Sequence, residues 1–249
     1  MLKISIITVT FNSAQTIECA LNSVIQQDYI NKEIIIIDGG STDETLAILE
    51  KYKSSIKTLV SEKDNGIYDA LNKGIAYATG DIIAILHSDD FYINQHVLSH
   101  VASAFTKNNY DSVYGNLYYV DKQDTNRIIR KWISGKYKHG KFIHGWMPPH
   151  PAFFAKRSCY EKFGSFNLAL TSSADYELML RFLHKYKIST YYLDEFLVKM
   201  RVGGQSNVSL KNRIKANRED KQAWLLNGLK PAFHTFAFKP LRKIIQFIK

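Results

Sequence analysis

Three short runs, ISIITV (residues 4–9), KEIIIID (32–38) and DIIAIL (81–86), place apolar side chains at both odd and even positions rather than at alternate ones only. A β-strand sends successive side chains to opposite faces. Such runs must therefore be covered on both sides, which is the situation of a parallel sheet between two layers of helices. The intervening segments supply the helices. Ile17, Leu21, Val24 and Ile25 have helical spacing between the first two runs, and a second helix is predicted from about Gly66 to Ala78, after a weaker strand at 57–61. Beyond residue 110 the pattern becomes mixed: strands in SVYGNLYYV, RIIRKWI and PAFFAK, a helix near Ser173–Tyr186, and strands between 188 and 201. The expected architecture is α/β, a mostly parallel central sheet flanked by helices. It divides into a first half at 1–110, a second half at 111–207 and a basic helical extension at 208–249.

In open α/β sheets ligands bind at the carboxyl ends of the strands. Here those ends carry Thr8, Thr10 and Asn12, then Asp38, then Glu62 to Asn65, then Ser88, Asp89 and Asp90. The run ILHSDDF (85–91) ends a buried strand in two adjacent carboxylates with no Lys or Arg beside them. Unpaired buried charge is costly. Either a solvated turn begins at Ser88, or a cation belongs there.

Four further segments can carry chemistry. In DGGSTDET the double glycine suits a tight turn or close approach of a ligand to the backbone, and Asp38 can accept a hydrogen bond from the ring N–H of a base. A strand-to-helix turn capped by Ser or Thr explains the same residues. Neither G-x-G-x-x-G nor a P-loop follows the first strand. In EKDNGIYDALNKGIAYATGD, Gly66, Ala70, Gly74 and Ala78 form a small-residue stripe that lets a helix sit close to the sheet, and Asp69 and Lys73 can pair at i,i+4. Asp64, Asn65 and Asn72 remain as polar groups near the strand-end edge, for ligand contact or capping. In SSADYELMLRF, Asp175 falls in the first turn of a partly buried helix. The helix dipole favours an acid there; a general base is the alternative reading. His144 and His150 flank HGWMPPHP and suit the lining of an acceptor pocket better than a metal pair.

Taken in order and spacing, ISIITVTFNSAQTIECALNSV, IIIIDGGSTDET, EKDNGIYDALNKGIA, LHSDD and ADYELMLR resemble the family 2 glycosyltransferases over residues 2–205, and most closely the subgroup that builds bacterial exopolysaccharide, colanic acid and O-antigen repeats. That resemblance implies a GT-A fold, a nucleotide-diphosphate sugar donor (a UDP-sugar if Asp38 meets uracil), a divalent Mg2+ or Mn2+ ion, and inversion at the anomeric carbon. Carried over by position, Thr10 and Asn12 lie in the first nucleotide-binding loop. Asp38 meets the base, and Asp64, Asn65 and Asn72 match the second donor segment. Ser88-Asp89-Asp90 stands where the family has Asp-x-Asp. Because Ser88 replaces the first carboxylate, direct metal contact falls to Asp90, with Asp89 serving the ribose, the sugar or a metal-bound water. Asp175 matches the catalytic base. The GGQS segment with Gln205 resembles a loop closing over the donor.

Residues 201–249 hold eleven Lys or Arg against two acids, which leaves residues 1–200 nearly neutral within a net charge of +10. In FKPLRKIIQFIK, Leu241, Ile244, Ile245 and Ile248 share one side. A basic amphipathic helix lies on an anionic membrane; a helix packed back on the domain reads the same way. Membrane contact through 208–249 suits an acceptor on a polyprenyl diphosphate lipid at the inner face of the cytoplasmic membrane. The two cysteines, Cys19 and Cys159, form no framework, as expected of a reducing cytoplasm. A nucleic-acid-binding protein fits the charge but not the acidic strand ends, which phosphates avoid. A sugar nucleotidyltransferase calls for a basic Gly-rich loop that TFNSAQT lacks. A non-catalytic binding protein is separated from an enzyme only by assay.

Overall fold

A computed structural model describes residues 1–203 and 210–236. In chain order these form β1 (Ile4–Thr10), α1 (Ile17–Ile25), β2 (Lys32–Asp38), α2 (Thr45–Lys51), β3 (Thr58–Ser61), α3 (Ile67–Tyr77), β4 (Ile82–Ile85), β5 (Asp90–Tyr92), α4 (Val97–Asn108), β6 (Ser112–Val120), β7 (Ile128–Trp132), β8 (Phe153–Lys156), α5 (Arg157–Phe163), α6 (Ala174–Met179, continued by a π-helical turn to Lys185), β9 (Thr190–Arg201) and α7 (Leu210–Leu226). One nine-stranded sheet has the order β3-β2-β1-β4-β8-β6-β9-β5, with β7 paired to β6.

Strands β1, β2, β3 and β4 are parallel to one another, and β6 with β9 makes a second parallel pair. Antiparallel β8 joins the two groups, and β5 and β7 are antiparallel to their neighbours. The isoleucine runs divide between two cores. Ile7, Ile35, Ile37, Ile83 and Ile85 enter the core beneath α3 and α6, whereas Ile4, Ile6, Ile34, Ile36 and Ile82 enter the one shared with α1 and α4. Consecutive apolar residues thus serve both faces, as the strand period requires. The small-residue stripe does bring α3 close: a Cβ on Gly74 would lie 2.4 Å from Cγ2 of Ile7.

Only four residues separate β4 from β5, a reach of at most about 18 Å between their ends. Yet β5 lies at the far end of the strand order, beside β9. The sheet must therefore curl until its β5 end returns to the carboxyl end of β4. This curl brings Arg201 of β9 to Asp89, whose carbonyl oxygen accepts from Nη1 of Arg201 at 2.6 Å.

Helix α7 is docked against the domain. Trp224 is 1 % exposed and its indole N–H donates to the Tyr176 hydroxyl at 2.9 Å. Asn227 donates to Oε1 of Glu177 at 2.8 Å. Ala223 and Trp224 thus belong to the core beneath α3 and α6. The amphipathic stretch at 239–249 and Gln205 lie outside the described residues.

Candidate active site at the carboxyl edge of the sheet

The loops at the carboxyl ends of β1, β2 and β4 are stitched together by short polar side chains. Asn12 takes a left-handed conformation (φ 49°) that asparagine tolerates well. Its Oδ1 accepts from the Thr42 N–H at 2.8 Å, and its own N–H donates to Ser41 Oγ at 2.8 Å. The hydroxyls of Ser13 and Ser88 lie 2.9 Å apart, and Thr45 Oγ1 accepts from Ser13 N–H. Asp38 is fully buried at the centre of this arrangement. Its carboxylate accepts from Gly40 N–H, Ser41 N–H, Ser41 Oγ and Ser61 Oγ at 2.5–3.1 Å. Three of these donors meet Oδ2 and one meets Oδ1, so in this conformation Asp38 builds the loop, and it is not in the wall of the cavity beside it. Gly40 has φ 83°, and a Cβ on Gly39 would meet Oδ2 of Asp64 at 2.6 Å. The double glycine therefore serves a tight turn and a close approach, the latter to a carboxylate of the chain itself.

A cavity of about 640 Å3 opens at this edge. Thr10, Asp64, Asp89, His150 and Asp175 line it, together with Phe11, Tyr68 and Lys215, which the sequence reading did not single out. Asn12, Asn65 and Asn72 are not in its wall. Asn72 is occupied elsewhere: its amide donates to the Phe166 carbonyl and accepts from the Phe166 N–H, both at 2.9 Å. It pins the 164–167 turn to α3.

Asp175 sits at the start of α6 with both oxygens held. The Tyr68 hydroxyl donates to Oδ1 at 3.1 Å, and Nδ1 of His150 lies 3.2 Å from Oδ2. Burial, then the charge of Asp175, raises the Tyr68 pKa, which keeps this phenol protonated as a donor. The His150 ring meets His87 edge-on at 5.3 Å. Burial, then the neighbouring His150, pushes His87 down to about 3, so its imidazole is neutral. The approach to Asp175 is fixed from α7. Glu219, 7 % exposed, accepts from the backbone N–H groups of Thr171, Ser172 and Ser173 at 2.7–3.0 Å and from Thr171 Oγ1 at 2.8 Å.

Asp89 reaches the cavity, whereas Asp90 is fully buried and neither of its oxygens has a hydrogen-bond partner. Burial, then the charge of Asp89, raises its pKa well above the carboxylate range, against the opposing influence of Arg201. An orphaned buried carboxylate next to a half-buried one that reaches the cavity has the chemistry of a donor set for a hard cation. No cluster of three or more His, Cys, Asp or Glu able to hold a metal occurs among the described residues. The pair therefore fits an ion that completes its shell with phosphate oxygens and water, not one held in an all-protein cage.

The curled, mostly parallel sheet with this acid-lined cavity at its carboxyl edge is the GT-A arrangement of the nucleotide-sugar transferases. The family model described as glycosyl transferase family 2 matches residues 5–171, and the chain belongs to that family. It is 32% identical over 188 residues to an uncharacterized glycosyltransferase of Mycobacterium tuberculosis, covering 72% of this chain and 68% of that one. It is 30% identical over 247 residues to the Escherichia coli UDP-Glc:alpha-D-GlcNAc-diphosphoundecaprenol beta-1,3-glucosyltransferase WfgD, covering 98% of this chain and 90% of that protein. Among solved structures, Staphylococcus aureus TarS 1–349 in complex with UDP-GlcNAc superposes with TM-score 0.69 at 19% identity, covering 97% of this chain and 72% of that one. The Pyrobaculum calidifontis mannosyltransferase PcManGT in complex with GDP-Man and Mn2+ gives 0.67 at 18%, covering 98% and 70%. The expectation of a GT-A glycosyltransferase holds.

Proposed function

We propose that the protein is an inverting, metal-dependent hexosyltransferase that moves a sugar from a UDP-sugar to a saccharide carried on a polyprenyl diphosphate lipid, at the cytoplasmic face of the membrane. The observation that carries this reading is the placing of Asp175, held by Tyr68 and His150, in the same cavity wall as Asp89. Similarity to WfgD over nearly the whole chain supports the UDP donor and the lipid-linked acceptor. No helix among the described residues is long and apolar enough to cross a membrane, so contact with the lipid is peripheral in this reading.

Asp89 and Asp90 hold the Mg2+ or Mn2+ ion, which when bound stabilises the negative charge of the departing diphosphate. Thr10, Asp64 and the loop shaped by Asn12, Asp38 and Asn65 receive the nucleotide, and Phe11 offers an apolar surface at its edge. The oxygen of an acceptor hydroxyl attacks the anomeric carbon from the side opposite the diphosphate. The carbon–oxygen bond to the diphosphate breaks as the new glycosidic bond forms, and the hydroxyl proton passes to the Asp175 carboxylate. One displacement gives inversion. Tyr68 and His150 fix the carboxylate so that a free lone pair faces the acceptor.

The test begins with thermal stabilisation by UDP, GDP, CMP and dTDP, each with and without Mn2+. UDP release from UDP-glucose is then followed with a GlcNAc-diphospho-lipid acceptor. A metal-dependent shift with UDP, and turnover lowered about 10²–10⁴-fold in Asp175→Asn with that shift intact, is the expected result. Stabilisation by no nucleotide overturns the reading.

A further inference from the structure

Two stretches of this chain contain no acid. Residues 125–160 carry eight Lys or Arg and residues 221–249 carry six, with no Asp or Glu in either. The near-neutral sum over residues 1–200 conceals the first of them, because acids elsewhere cancel it. The fold brings the two together. The ring of His144 stacks on His234 at 5.4 Å. His139 stacks on His184 at 4.8 Å, and His184 lies 5.2 Å from Trp224. The loop around 138–144 is thereby set against the end of α7 and the residues that follow it.

The same end of the molecule exposes large apolar side chains: Leu225 at 61%, Leu226 at 46% and Phe233 at 98%. Lys138, Lys221 and Lys230 are exposed with them. Apolar side chains interleaved with lysines, on two segments that contain no acid, have the chemistry of an interfacial site, where the former enter the acyl boundary and the latter meet headgroup phosphates. A nucleic acid would use the lysines but leave the leucines and Phe233 in water.

We propose that this end of the molecule docks on an anionic lipid surface, with Leu225, Leu226 and Phe233 inserted and Lys138, Lys221 and Lys230 against the headgroups. The placement deepens the proposed use of a lipid-linked acceptor. Helix α7 contributes Lys215 to the cavity wall, and Leu225 follows ten residues later, about 15 Å along the helix. A saccharide tethered at that surface lies within a few sugar lengths of Asp175. Docking itself requires no sugar transfer, so the two readings fail separately.

The experiment is co-sedimentation of the full chain with phosphatidylcholine vesicles, with and without phosphatidylglycerol. Three variants are compared with it: Leu225→Ser with Phe233→Ser, Lys138→Glu with Lys230→Glu, and Lys57→Glu as a remote exposed control. All substituted positions are exposed, and far-UV dichroism checks the fold. The wild-type chain and the control pellet with the anionic vesicles only, and each double variant binds on the order of tenfold more weakly. Equal pelleting with neutral vesicles overturns the proposal, as does wild-type affinity in both double variants. Binding to duplex DNA without binding to vesicles overturns it in favour of a nucleic-acid partner.

Discussion

Asp90 and Asp175 are the two carboxylates to which the proposed reaction gives the ion and the proton, and their surroundings differ. Asp175 accepts from the Tyr68 hydroxyl on one oxygen and has the His150 ring 3.2 Å from the other, whereas neither oxygen of Asp90 has a hydrogen-bond partner. Burial and the Asp89 charge already hold the Asp90 carboxyl in its neutral form without metal, so Asp90→Asn is expected to unfold within about 1 kcal/mol of wild type in the absence of the ion. The same variant loses the Mn2+-dependent part of any nucleotide stabilisation; thermal melts with and without the ion read both effects. Tyr68→Phe deletes one hydrogen bond to a charged acceptor and little volume. Turnover is expected to fall on the order of tenfold to a hundredfold, with the nucleotide-induced shift unchanged. His150→Ala acts through the other oxygen, and the double variant should lose less than the product of the two, since both act on one carboxylate.

At the scale of elements, α7 acts as a brace for the base. The Glu219 carboxylate gathers three consecutive backbone N–H groups just before α6, a concave cluster of donors that would otherwise be unsatisfied. Glu219→Ala is expected to lower stability by about 2–4 kcal/mol and to slow turnover more than it weakens nucleotide binding; denaturant titration and UDP-release kinetics measure the two. A second brace ties the amino ends of β1 and β2 to the end of α3. Glu33 accepts from Ser5 Oγ at 2.6 Å and from Thr79 N–H at 2.7 Å, and pairs with Lys3 at 2.6 Å. Burial alone would raise its pKa; the hydrogen bonds from Lys3, Ser5 and Thr79 outweigh that and push it down to about 2. An unfolded glutamate titrates near 4.3, so the unfolded chain takes up the proton first as pH falls. The stabilisation is complete above roughly pH 5 and is lost progressively toward pH 2. Glu33→Gln should flatten the stability profile across that window, as urea midpoints at a series of pH values will report.

Across the whole molecule, the parts legible in the sequence are those written in local pattern. Ile34–Ile37 can only be a strand covered on both sides, and the Gly74 stripe can only be a close packing face, because period and side-chain size decide these without distant partners. The site was legible as a strand-end edge for the same reason: Thr10, Asp64 and Asp89 fall where the sheet delivers them, and Asp175 in the first turn of the helix it was read into. What was not legible depends on pairings far apart in the chain. Asn72 reads as a ligand contact until Phe166, 94 residues away, takes up its amide. Asp38 reads as open until Ser61 arrives from β3. Glu219 and the basic loop at 138–144 gain meaning only once α7 lies against the core beneath α3 and α6.

The route by which the sheet is assembled has a consequence during synthesis. Strand β4 completes a parallel block of isoleucine-rich strands, but its free edge is covered only by β8, about seventy residues later. At ribosomal rates this interval is roughly 4–14 seconds. For that time a half-made protein offers a straight, apolar strand edge to any neighbour emerging beside it. Slower initiation or a lower growth temperature, which thins out such neighbours, should raise the soluble yield of this chain more than any change to its finished surface.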